Sequence, residues 1–258
     1  MAKETTIIAL VGKGGVGKTS LSALTVRLLA EHYPEKKILA IDADPAVGLA
    51  TALGAEVIST VDDIRKAFVR SAEDGDSGAA IELLSDARYR ILDALVEMEN
   101  ISFLAIGRPE SAGCYCTVNG YLRAVIARLA EHFDYVVIDG EAGIEQINRR
   151  VMEKVSHLIL VSDASKKGLQ VTETIHQVAK DMVMFRESGR IVNRVPDISL
   201  LSLPENEEIP LLACIEDDRS MSVSDMLGNT VFSLPSDCAV LRGMSEALEK
   251  MNLIKRGG

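Results

Sequence analysis

Thr5-Thr6-Ile7-Ile8-Ala9-Leu10-Val11-Gly12-Lys13-Gly14-Gly15-Val16-Gly17-Lys18-Thr19-Ser20 decides the fold of this chain. Its first seven residues read as a buried strand, and the stretch from about Lys18 to Glu31 reads as a helix. Between them the spacing G-x-x-x-x-G-K-[ST] is met, with Gly12, Gly17, Lys18 and Thr19 in the fixed places. A glycine-rich turn from strand to helix lets the backbone N–H groups of Gly12, Gly14, Gly15, Val16 and Gly17 converge on phosphate oxygens. The helix start, with Ser20 in its first turn, adds partial positive charge. Lys18 is expected to reach the β and γ phosphates of ATP or ADP, and the Thr19 hydroxyl to ligate Mg²⁺.

Outward from this loop the same alternation continues. Lys37–Asp42, Ile101–Ile106, Tyr135–Asp139, His157–Ser162 and Arg190–Asn193 are short, β-branched and almost uniformly apolar, with helix-patterned segments between them. Such strands predict a mainly parallel sheet covered on both faces, a doubly wound α/β P-loop domain. Residues 60–98 depart from the alternation. Asp62–Ser71 and Ala79–Glu97 read as helices around a polar break, Glu73–Gly78, and are expected to form a helical insertion within one domain. The last helix is expected over Ser245–Arg256.

The chain has 258 residues, 47% of them hydrophobic, and no Trp, so a single large core of aliphatic side chains is expected. Its 28 Lys and Arg against 38 Asp and Glu give a net charge of −10. That field repels polyanions and argues against nucleic acid or an anionic membrane as partner. No apolar run approaches the ~20 residues of a membrane span, and the first residues lack the features of a secretory signal. The expected compartment is the cytoplasm, where the four cysteines stay reduced.

Two strand ends carry carboxylates. Asp42-Ala43-Asp44-Pro45 follows the second strand and Asp139-Gly140-Glu141-Ala142-Gly143 follows Tyr135–Ile138. An Asp after an apolar strand is the usual Mg²⁺ partner of a phosphate loop, so Asp139 is the leading choice, with Asp42 beside it. Cys114-Tyr115-Cys116 lies in a Gly/Pro-containing loop before a helix that begins near Val118. Two thiols at this spacing cannot complete a soft tetrahedral or square-planar site alone. Cys214 and Cys238 stand outside any motif and read as packing residues.

Lys13, directly after the first glycine, gives K-G-G-x-G-K-[ST], and here the chain resembles the deviant P-loop ATPases of the MinD, ArsA and nitrogenase iron-protein class. The resemblance implies a homodimer in which Lys13 reaches the partner's nucleotide. It also implies that Asp44 positions the attacking water and that Gly143 senses the γ-phosphate. Asn193, followed by Arg194, is implied in purine recognition. Gly107-Arg108-Pro109-Glu110, Gly113-Cys114-Tyr115-Cys116 and Val136-Val137-Ile138-Asp139 narrow the likeness to CooC-type ATPases, from residue 5 to about residue 250. Gly140 departs from the pattern, standing where Asn is expected. That family implies Ni²⁺ or Zn²⁺ held between subunits by paired Cys114 and Cys116, four thiolates on a two-fold axis. It further implies a client nickel enzyme, carbon monoxide dehydrogenase or acetyl-CoA synthase. A spatial organiser of the MinD or partition type and an iron–sulfur reductase are the competing readings.

Overall fold

The computed structural model describes residues 4–44, 46–73, 86–107, 116–140, 151, 154–201 and 208–255. Pro45, Cys114, the segment Glu141–Gly143 and the start of the helix expected from Ala79 lie outside them. So does the side chain of Cys116.

Among the described residues the sheet has eight strands in the order β3-β4-β2-β5-β1-β6-β7-β8. They are β1 (Thr6–Gly12), β2 (Ile38–Asp42), β3 (Val96–Met98), β4 (Ile101–Ala105), β5 (Tyr135–Asp139), β6 (His157–Ser162), β7 (Glu187–Val195) and β8 (Leu211–Glu216). All pairings are parallel except β3 with β4. Successive side chains of each strand enter opposite layers. Ile8, Leu10, Ile38 and Ala40 face one core with α1 (Lys18–His32), α2 (Gly48–Leu53) and the last helix. Ala9, Val11, Leu39 and Ile41 face the other, under α3 (Val61–Glu73), α4 (helical over 86–93) and α5 (Cys116–Ala130). Both faces of the sheet are covered, which is why these strands read as continuous apolar runs. The doubly wound architecture expected from the alternation is the one observed.

Three local expectations are corrected. Val96 and Glu97, read as the end of a helix, lie in β3, whose Val96 and Met98 pair with Phe103 and Ile101 of β4. A three-residue edge strand is defined by its partner, and no local pattern announces it. β8, a six-residue edge strand, was not read from the sequence either. The final helix, α8, spans Ala239–Lys250 rather than Ser245–Arg256. Its start is fixed by a long-range contact, in which the Val240 N–H donates to Asp218 Oδ2 at 3.0 Å. It stops because Asn252 turns left-handed, at φ 54°, which lets Leu253 and Ile254 fold back into the core.

The remaining helices are α6 (Lys166–Met182), capped by the Ser165 side chain, and α7 (Arg219–Met226). No helix among the described residues is long and apolar enough to cross a membrane.

Candidate active site

Parallel register brings the phosphate loop and both carboxylates to one edge. Asp42 pairs with Asp139 across β2 and β5, and Asp139 pairs with Leu10 across β5 and β1, two residues before the loop begins. Strand ends of a doubly wound sheet form the usual ligand crevice. The loop itself needs its glycines. A Cβ on Gly12 would collide with the Val161 carbonyl oxygen of the neighbouring strand. Gly17 has φ 91° and passes so close to Asn193 that a Cβ would stand 2.6 Å from its amide nitrogen.

Lys18 is buried and its Nζ donates to the Lys13 carbonyl at 3.2 Å, so the ammonium lies folded over the loop. Lys13 points elsewhere: its Nζ meets Asp163 Oδ2 at 3.2 Å. Asp163 follows directly on β6, as Asp42 and Asp139 end β2 and β5. Reading every strand end in the sequence in that way would have found it.

Asp42 and Asp139 are fully buried. Burial, then repulsion from Asp139, pushes Asp42 up to about 7. Burial pushes Asp139 up to about 6, against the lowering effect of the Thr19 and Ser22 hydroxyls and of Lys18. The two carboxylates differ in what remains to be bound. Both Asp42 oxygens already accept backbone N–H groups, from Asp44 at 3.0 Å and Leu49 at 2.9 Å. Asp139 Oδ1 accepts the Ser22 hydroxyl at 3.1 Å, whereas its Oδ2 is buried without a hydrogen-bond partner. A buried, unpaired carboxylate oxygen beside Thr19 fits a hydrated Mg²⁺, and Asp42 reads as the brace of the turn that carries Asp44. Ser22, one helical turn beyond Lys18, is a site residue that the motif did not name.

Asn193 and Arg194 close β7 against the loop. The Asn193 amide donates to the Val16 carbonyl at 2.9 Å, and Arg194, left-handed at φ 56°, donates to the Gly15 carbonyl at 3.2 Å. The structure therefore puts both residues on the loop backbone and leaves the Asn193 amide oxygen as its remaining acceptor. Cys116 begins α5, after a strand end that is tied to the site. The Ile106 N–H donates to the Asp42 carbonyl at 2.8 Å, and the Asp62 N–H donates to the Ile106 carbonyl at 2.9 Å. Among the described residues no three His, Cys, Asp or Glu side chains gather as a metal site. Cys238 is buried and Cys214 half-buried; burial pushes both thiols up, away from the reactive thiolate.

Comparison with known proteins agrees with this geometry. Residues 5–186 match the family model described as an AAA domain. An uncharacterized ATP-binding protein of Methanocaldococcus jannaschii is 35% identical, over 95% of this chain and 98% of its own. The carbon monoxide dehydrogenase accessory protein CooC of Rhodospirillum rubrum is 28% identical, over 90% of this chain and 91% of its own. Among solved structures, the septum site-determining protein MinD of Pyrococcus horikoshii, in complex with Mg-ADP, superposes with a TM-score of 0.69 at 23% identity. That match covers 96% of each chain. With its phosphate loop, strand-end carboxylates and eight-stranded sheet, the chain belongs to this AAA-domain family and is a P-loop ATPase of the MinD/ParA class.

Proposed function

We propose that the protein is an ATP-driven metal carrier. It binds Ni²⁺, or Zn²⁺ in its place, through Cys114 and Cys116 at a homodimer interface and delivers nickel to a client enzyme of the carbon monoxide dehydrogenase or acetyl-CoA synthase kind. The observation that carries this reading is the bond between the Ile106 N–H and the Asp42 carbonyl. Asp42 braces the turn that holds Asp44, the residue assigned to the attacking water. Ile106 lies eight residues before Cys114 in the sequence. A rearrangement of the Asp42 turn on ATP binding or hydrolysis therefore pulls directly on the chain that leads to the thiols. Four thiolates hold nickel tightly, so release needs such a mechanical input. The 28% identity to a carbon monoxide dehydrogenase accessory protein supports the same client class.

In this reading Lys18 and the loop N–H groups bind the β and γ phosphates, and Thr19 with Asp139 holds Mg²⁺. When bound, Mg²⁺ neutralises charge on the phosphate oxygens. Lys13 acts on the partner's nucleotide, and Asp44 orients the water. Asn193 keeps the loop in shape while its free acceptor faces the base.

A spatial organiser draws on the fold likeness to MinD. Such proteins use a free basic amphipathic helix, whereas α8 buries Val240, Leu241, Met244, Ala247 and Leu248 in the main core.

Metal analysis together with sizing, with and without ATP, tests the proposal on wild type and on Cys114→Ser/Cys116→Ser. About one metal ion per dimer is expected in wild type and none in the double variant. Equal metal content in both would end the carrier reading and leave the ATPase in place.

A further inference from the structure

α4 and α5 lie side by side on the outer face of the sheet and leave a groove of about 540 Å³ between them. Its floor is apolar, built from Ile91 and Leu92 of α4 and Tyr121, Val125 and Leu129 of α5. Leu92 is 41% exposed, Tyr121 40%, and Tyr89 beside them 66%. The chain has only five tyrosines and five phenylalanines. Two of the tyrosines are thus spent on one solvent-facing patch, where each forfeits burial that the aliphatic core would reward.

The rim is basic. Arg88 stands on the α4 side, Arg128 and His132 at the far end of α5. Among the described residues Arg88 makes no ion pair, and Arg128 is the charged residue that α5 contributes to the groove. Among the described residues Glu131 is the one acid that lines the groove, bonded to Arg128 at 3.3 Å. Both partners are largely exposed, and such a pair contributes little and exchanges readily for another carboxylate. On a chain of net charge −10 this is a local reversal of sign. Tyr and Arg around an apolar centre are also the residues that dominate binding energy at protein interfaces.

We infer that this groove docks an acidic amphipathic helix of a partner protein. The groove runs between two helices from Tyr121 to Leu129, about 12 Å, which matches two to three turns of a third helix laid alongside. Apolar residues at i, i+3 or i+4 and i+7 of the incoming helix fill the floor, and Asp or Glu on its flanks meet Arg88 and Arg128. The rest of the acidic surface repels such a helix, so the patch sets both where it lands and which way it points. α5 begins at Cys116, so a partner seated here lies on the helix that starts at the second cysteine of the Cys-x-Cys. The inference does not depend on the metal reading, and its readout is peptide binding alone.

The test is selection from a displayed library of randomised helical peptides on the purified full-length protein. Binding of the recovered peptides is then titrated against wild type, Arg88→Glu, Leu92→Glu and Tyr121→Glu. All three positions are solvent-exposed and none belongs to the phosphate loop or its carboxylates, so an unchanged ATPase rate certifies each variant as folded. Recovered peptides are expected to carry the apolar spacing with an excess of Asp and Glu, and to bind each variant at least about tenfold more weakly. Arg88→Glu alone keeps the test decisive should an apolar substitution disturb α4. Basic or neutral binders, binders indifferent to the variants, or no binders at all would overturn the inference. So would a loss of dimer mass in Tyr121→Glu, which would assign the groove to a second copy of this chain.

Discussion

Lys13 Nζ lies 3.2 Å from Asp163 Oδ2 in the same protomer, so the lysine assigned to act across a dimer is held at home by the loop after β6. Both side chains are about one-third exposed, and pairs of that kind are worth about 0.5–1 kcal/mol. Asp163 must therefore be a weak restraint, readily exchanged for a partner's phosphates. Asp163→Asn is expected to raise the ATPase rate at limiting protein concentration about two- to fivefold, with dimer appearing at lower concentration. Lys13→Ala is expected to lower the rate by about a hundredfold or more while the protein still binds ATP. Steady-state hydrolysis measured across protein concentration reads both. Full activity in Lys13→Ala would remove the trans role.

Asn193→Ala takes away the amide that donates to the Val16 carbonyl. A lost buried hydrogen bond of 1–2 kcal/mol corresponds to about a tenfold weaker ADP affinity. Gly17→Ala goes further, because φ 91° and the 2.6 Å approach to Asn193 leave no place for a methyl group. It is expected to abolish nucleotide binding. Titration with a fluorescent ADP analogue measures both, and an unchanged affinity in Asn193→Ala would refute its bracing role.

The carboxylate pair makes a pH prediction. Asp42 and Asp139 are raised to about 7 and about 6 in the folded protein, above their values in an unfolded chain. The folded state therefore binds these protons more tightly. The pair's contribution to stability is full below about pH 4 and is lost as pH rises through 6 and 7. Asp139→Asn removes one charge of the pair and is expected to raise the melting temperature of the ligand-free protein at about pH 8, by about 2–4 °C per kcal/mol recovered. At about pH 5 it is expected to do nothing. In wild type the stabilisation by Mg·ADP is expected to grow over the same rise in pH and to vanish in Asp139→Asn. Thermal melts across pH with and without Mg·ADP decide it; a pH-independent Asp139→Asn effect would count against the raised values.

Arg190 on β7 is buried, its Nε and Nη2 without a hydrogen-bond partner, and among the described residues Glu173 is its ion-pair partner, 3.6 Å from Nη2. Burial pushes its guanidinium down in spite of that carboxylate. Replacing a poorly compensated buried charge by an apolar side chain of similar length stabilises by about 1–4 kcal/mol. Arg190→Met is expected to raise the melting temperature without changing the ATPase rate. A lower melting temperature would show that the guanidinium is held by more than Glu173.

Much of the site was legible because its signals are local. A phosphate loop is one continuous run, and its chemistry is backbone chemistry, so Gly12 to Thr19 could be picked out from the sequence. Asp42 and Asp139 announced themselves as acids at the ends of apolar strands. The differences between them were not legible. Which one keeps an unpaired oxygen depends on the Ser22 hydroxyl, one helical turn along α1, and on the N–H groups of Asp44 and Leu49. Asp163 carried the same strand-end signal and was passed over because its partner, Lys13, lies 150 residues away.

The sequence by itself determined the doubly wound parallel sheet, since strands buried on both faces must be apolar throughout and only crossover helices can cover them. It also determined the nucleotide chemistry, because loop, lysine and hydroxyl are contiguous. Tertiary structure alone decided what depends on residues far apart in the chain. It paired Asp42 with Asp139 through parallel register, set Asn193 and Arg194 against the phosphate loop, and gave Lys13 an intramolecular partner. It made a strand of Val96–Met98 and bonded Ile106 to Asp42. Each of these rests on a contact whose energy exists only once the sheet has formed, and no local propensity encodes it.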